Sequence, residues 1–149
     1  MKPLRLASLI LVALSIWGQA GFASPLGLWQ AKDGVKIRIE PCDQNLCGFI
    51  AQTNPPYLKD KNNVDPAKRN RPLVGVQVLI SMQPSGASKW SGQVYNDDNG
   101  RTYSGNLIEL GPSTIKIEGC WLMICGGEEL VRVKWQRNFL RSRRRTVRT

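Results

Sequence analysis

The chain has 149 residues, 21 lysines and arginines against 11 acids, a formal net charge of +10, four cysteines and no histidine. That length accommodates one domain and hardly more. Without histidine, Ser–His and Cys–His nucleophilic catalysis is excluded within the chain, and carboxylates are left to do any acid–base work.

Residues 1–23 read as a secretory signal. Lys2 and Arg5 supply the positive start, Leu6 to Trp17 is uncharged and mostly apolar, and Gly18-Gln19-Ala20 and Gly21-Phe22-Ala23 both offer small residues for cleavage, which is expected after Ala23. The apolar run is too short to span a bilayer, which takes about 20 residues. No transmembrane segment is therefore expected in the mature chain, and the product is expected to be exported, to the periplasm or beyond. No cysteine lies near the cleavage point to take a lipid.

Residues 24–136 carry the domain, and short alternating segments dominate them. Val35, Ile37 and Ile39 alternate with Lys36, Arg38 and Glu40, the period of a half-buried strand. Val74, Val76, Val78 and Ile80 repeat at the same period, as do Ile115 and Ile117, and Val131, Val133 and Trp135. Turn residues punctuate these runs at Pro84-Ser85-Gly86, Asn99-Gly100 and Gly111-Pro112-Ser113. Asn99-Gly100 predicts a type I′ hairpin with positive φ at both central residues. Strands are predicted near 26–31, 35–41, 47–53, 73–81, 88–96, 101–110, 114–120 and 127–135.

Eight antiparallel strands must close or pack as two sheets to protect their edges. The predicted fold is all-β: a small up-and-down antiparallel β-barrel of about eight strands, with a β-sandwich as the alternative. A barrel of that size is either filled or holds one small ligand.

One connection, Asn54 to Pro72, is polar, contains four prolines and has a net charge of +3. It reads either as a lid over a barrel mouth or as a plain solvated loop. Its Asp60, Asn62 and Asp65 are hard oxygen ligands, but the glycine and glutamate of a calcium loop are missing, so no metal and no cofactor is expected. The acid pairs Asp97-Asp98 and Glu128-Glu129 read as solvated turns. If a pocket exists, Trp90, Tyr95, Tyr103 and Arg71 are its candidate ligand-binding residues, because they belong to segments flanking the long loop or pairing beside it.

The cysteines fall in two similar segments, IRIEPCDQNLCG (37–48) and IKIEGCWLMICG (115–126). Exported cysteines in even number point to disulfides. Each pair flanks a four-residue turn, which favours Cys42–Cys47 and Cys120–Cys125, with crossed pairing left open. Four thiolates on zinc are the alternative, disfavoured by the spacing and by export.

Residues 137–149 hold six arginines and no acid, whereas 24–136 hold 13 cations and 11 acids. The basicity therefore belongs to an arginine-rich C-terminal tail, which is expected to be disordered. Export argues against nucleic acid as its partner and leaves an anionic envelope surface, or no partner at all.

Taken in order, GLWQAKDG (27–34), IEPCDQNLCGFI (39–50), LKDKNNVDPAKRNRPLVG (58–75), KWSGQVYNDDNGRTYSGNL (89–107) and IKIEGCWLMICGG (115–127) resemble a bacterial secreted family, domain of unknown function 2147. The resemblance implies a lipocalin-like barrel, export and binding of small apolar molecules. It also implies a closed barrel end where Trp29 lies under Arg132. The alternation of Val131 and Val133 predicts the opposite, with the valines inward and Arg132 outward; the family's tryptophan position holds Leu130 here. The sequence thus points to an exported non-enzymatic barrel for a small apolar or amphipathic ligand. The alternative is an envelope-associated module docking on anionic surfaces through its basic loop and tail.

Overall fold

The computed structural model describes residues 24–134. The expected signal (1–23) and arginine tail (137–149) lie outside the described residues, as does Trp135. Eight strands follow in chain order: β1 (Gly27–Gln30), β2 (Lys36–Cys42), β3 (Asn45–Gln52), β4 (Gln77–Gly86), β5 (Lys89–Asn96), β6 (Arg101–Gly111), β7 (Thr114–Trp121) and β8 (Ile124–Arg132). Each pairs antiparallel with the next, and β8 returns to β1, closing an up-and-down barrel. The two-sheet sandwich is thereby excluded.

Strand alternation sorts the side chains. On β2, Ile37 and Ile39 stand opposite Ile50 and Gly48 of β3 on the inner face. Arg38 stands opposite Phe49 on the outer face, its guanidinium 6.0 Å from the ring centroid. Trp29, Leu79, Met82, Leu107, Ile115 and Leu130 are fully buried and form the heart of the core. At about 2 kcal/mol for each large apolar side chain taken out of water, this cluster is the main source of stability.

Because the barrel runs up and down, its connections alternate between two ends. The turns at 43–44, 87–88 and 112–113 lie at one end. The connections 31–35, 53–76, 97–100 and 122–123 lie at the other.

Three local expectations change. The fourth strand begins at Gln77, not near residue 73: Gly75 takes φ 91°, Leu73 and Val76 are buried from a turn, and Val74 is exposed. Register shifts along β4 then bury Val78 and Leu79 together, breaking the two-residue period. Pro84-Ser85-Gly86 is strand rather than turn, with Pro84 beside a register shift, where a residue with no N–H to donate is tolerated. The β5–β6 hairpin is a four-residue turn, Asp97 to Gly100, with positive φ at Gly100 (68°) and not at Asn99. Asn96 and Asn99 stabilise it by accepting from the Asp98 and Arg101 amides.

Both cysteine pairs are disulfide-bonded, Cys42–Cys47 and Cys120–Cys125, one at each end of the barrel. Strand pairing continues between the cysteines, so each turn is two residues rather than four. The similar segments also adopt different registers. Cys120 stands directly opposite Cys125, with Cα atoms 4.0 Å apart, whereas Cys42 faces Asn45 and reaches Cys47 diagonally over 5.7 Å.

The long connection is ordered. A bridge between Lys59 and Pro72 closes its base, and a short 3-10 turn (Pro66–Lys68) is capped by the Asp65 carboxylate on the Ala67 amide at 3.0 Å. The loop runs back against the outer wall beside the β5–β6 turn. There a Cβ on Gly100 would collide with the backbone of Asn62 and Asn63, so only glycine fits.

Candidate functional site

A cavity of about 640 Å³ opens at the end formed by 31–35, the long loop, 97–98 and the β7–β8 turn. That volume lies within the roughly 300–1,000 Å³ range of small-molecule sites. Inward-facing residues Ile37, Ile50, Val78, Val94 and Ile117 give it apolar walls. None of the six fully buried core residues lines it, so the core fills the closed half and leaves the other half open.

The rim is different in character. Asp33, Asp97, Asp98 and Glu128 line it, and among the described residues no lysine or arginine does. Glu128 faces inward because it pairs with Ile117, in phase with Leu130. Burial pushes its carboxyl above the usual range, and the nearby charges of Asp33, Asp97 and Asp98 push it further. Asp97 is raised likewise, by burial first and then by Asp98, against a lowering bond to its own backbone. Tyr103 and Trp121 stand at the same opening as an edge-to-face pair, with centroids 6.3 Å apart. Beyond them the hairpin tip is wholly apolar and exposed: Trp121, Leu122, Met123 and Ile124 keep 65%, 88%, 98% and 78% of their surface in solvent. The Cys120–Cys125 disulfide clamps that tip at its base.

The four candidate ligand-binding residues separate. Tyr103 lines the cavity. Tyr95 touches it too, but alternation along β5 turns its hydroxyl toward the long loop. Arg71 lies in a separate crevice of about 300 Å³ between the loop and the outer wall. Trp90 sits near the opposite end, paired with Pro84 and Leu107, and packs on the core. Five residues of strand, about 17 Å, separate it from Tyr95.

Tyr95 and Arg71 meet at Asp60. The Tyr95 hydroxyl donates to Asp60 Oδ1 at 2.5 Å. Asn63 Nδ2 and Arg71 Nε donate to Oδ2 at 2.8 and 2.9 Å, and a second guanidinium nitrogen lies 2.8 Å away. Burial opposes the Asp60 charge, but the bonds from Tyr95, Asn63 and Arg71 prevail and hold its pKa below the ordinary value. Burial and the adjoining carboxylate push Tyr95 up to about 12. Asp60 is thus a structural tie between loop and wall, its oxygens already occupied.

At the closed end, Arg132 is inward. Its guanidinium lies 4.1 Å from the Trp29 ring centroid and donates to the carbonyls of Pro112, Leu26 and Ser24 at 2.9, 2.8 and 2.7 Å. Leu130, not Val131, sets the phase of β8; Val131 is 56% exposed, which reverses the inward valines expected from alternation.

Glu118, Cys120 and Cys125 cluster closely enough to suggest a metal, but both sulfurs are consumed in the disulfide. Sequence reasoning missed Trp121, Glu128, Asp97 and Thr53 as cavity residues. Counting outward in twos from Leu130 would have found Glu128.

A family model for uncharacterised proteins conserved in bacteria (DUF2147) matches residues 27–136. The chain belongs to that family. A search of curated proteins finds no match for this DUF2147 chain. Among solved structures, it matches HP1028 from Helicobacter pylori, described as belonging to the lipocalin family. The TM-score is 0.67 at 17% identity, over 80% of this chain and 88% of that one. At that identity the likeness shows the fold: the DUF2147 barrel is lipocalin-like. Two disulfides are consistent with a place outside the cytoplasm.

Proposed function

We propose that this DUF2147 protein is an exported, non-enzymatic carrier that holds a small apolar or amphipathic molecule in its barrel. One observation carries the reading: the open half is an apolar-walled cavity of about 640 Å³ rather than packed core. Lipocalin-like folds generally enclose one small ligand, and the chain has no histidine for nucleophilic catalysis. The signal segment, residues 1–23, and the two disulfides support export to the periplasm or beyond.

The test is a fluorescence titration of disulfide-intact residues 24–149 with a neutral naphthylamine probe. Gly126 lines the cavity, and a Cβ added there meets nothing within 4 Å. Gly126→Leu therefore occupies ligand space without moving backbone. Displacing about two methylenes of ligand contact lowers affinity about tenfold. Wild-type protein without saturable binding, or a Gly126→Leu variant that binds equally well, refutes the reading.

The second reading, docking on an anionic surface through the basic loop and tail, loses part of the loop: Arg71 is tied to Asp60 and Lys68 lies 3.6 Å from Asp65, which leaves Lys59, Lys61 and Arg69, with the tail, to carry it.

A further inference from the structure

We propose that the cavity selects ligands with an apolar body and a cationic head, an alkylammonium or quaternary amine. The inference rests on the carrier reading and names the ligand class. Four carboxylates, Asp33, Asp97, Asp98 and Glu128, converge on the opening of an apolar cavity. None of them forms an ion pair among the described residues, where four other acids do. They gather at one end of a domain that is near charge balance, with 13 cations and 11 acids over residues 24–136. After burial, the charges of Asp33 and Asp98 add to the rise in the pKa of both Asp97 and Glu128, and Lys32 offsets only part of it at Glu128.

One further feature points to a ligand at this place. The Tyr103–Trp121 pair also stands at the opening, and Trp121 keeps 65% of its surface free. Aromatic faces attract ammonium groups, quaternary ones included. A cationic head thus meets carboxylates and aromatic rings at the rim while its chain enters the apolar interior. An anionic head meets four like charges.

The experiment displaces the neutral probe from the disulfide-intact protein with three molecules of equal chain length, each below its micelle concentration: decyltrimethylammonium, decanol and decyl sulfate. The cation is expected to bind about tenfold more tightly than the sulfate at low salt, several partly exposed charge pairs each adding a modest increment. The gap narrows as salt shortens the screening length. Asp97→Asn with Glu128→Gln, both at solvent-accessible positions, is expected to close the gap between the cation and the sulfate. Trp121→Ala is expected to weaken the cation relative to decanol. If the double variant does not fold, Asp98→Asn, at an exposed residue, tests the same charge.

Decanol binding with no order among head groups overturns the cationic preference and leaves the carrier reading standing. A preference undiminished by the carboxylate variants also overturns it. Failure of both decanol and the neutral probe to bind overturns the carrier reading itself.

Discussion

Replacing Asp60 with asparagine removes one charge from the tie between the long loop and the barrel wall. In the wild type its carboxylate, 1% exposed, accepts from Tyr95, Asn63 and Arg71. Hydrogen bonds to a charged partner contribute about 1.5–3 kcal/mol each, against about 1 kcal/mol for neutral ones. Asparagine leaves one oxygen acceptor and points an N–H₂ at groups that are themselves donors. The Arg71 side chain is 39% exposed, so its share is reduced by solvent screening. The expected loss is about 2–3 kcal/mol, a large part of a net stability of roughly 5–15 kcal/mol. Urea denaturation of the disulfide-intact protein reads it as a lower midpoint at unchanged slope.

The sign with pH follows from the lowered Asp60 pKa. Its contribution is complete above the unfolded value of 3.8 and fades as pH falls through the still lower folded value. The gap between wild type and variant is therefore flat from neutral pH into mild acid and closes below that point. Asp65→Asn, at a half-buried residue whose carboxylate lies 3.6 Å from Lys68, serves as the control and is expected to cost under about 1 kcal/mol. An Asp60→Asn variant within about 0.5 kcal/mol of wild type refutes the structural role given to the tie.

Arg132→Lys is expected to destabilise the barrel by about 2–3 kcal/mol in the same assay, since an ammonium cannot cover Trp29 and reach three carbonyls at once. Equal midpoints would remove the closing role of that contact. Glu109 is 8% exposed, both its carboxylate oxygens lack a partner among the described residues, and burial raises its pKa despite the offsetting charge of Arg132. The wild type therefore loses stability as pH rises from 4.5 through the folded value, and Glu109→Gln does not. The variant should match wild type near pH 4 and exceed it by on the order of 1 kcal/mol at pH 8; a pH-independent difference would contradict this. Deleting residues 137–149 removes six arginines and should abolish salt-sensitive binding to anionic vesicles; binding that survives the deletion dissociates the tail from that activity.

Eight strands and closure were legible because each strand has one buried and one solvated face, and that contrast is written in alternate residues such as Ile37 and Ile39 against Lys36 and Arg38. Legibility failed where the period breaks. Gly75 and the register shifts of β4 bury Val78 and Leu79 side by side, which no two-residue count reproduces. On β8 the exposed Val131 suggested the wrong face, because hydrophobicity alone does not reveal which residue leads; the fully buried Leu130 does. Trp90 was grouped with Tyr95 by nearness in sequence, yet a strand carries five residues most of the way across the barrel. The Asp60–Tyr95 bond joins positions 35 apart, and the acidic rim gathers residues from two connections and from β8. Both are products of closure, visible only once the barrel is formed.

The up-and-down path has a consequence for how the whole molecule would face a charged boundary. Eight strands are an even number, so β8 delivers Arg132 to the end where the chain began, with Ser24 and Leu26 accepting from its guanidinium. The sequence that continues from that end carries six arginines, while four carboxylates line the other. With those arginines held near the end they leave, the protein would be an electrical dipole aligned with its own axis. An anionic sheet would attract one pole and repel the other, so the molecule would approach tail first and stand upright. Its mouth would then open away from the surface, toward whatever diffuses past.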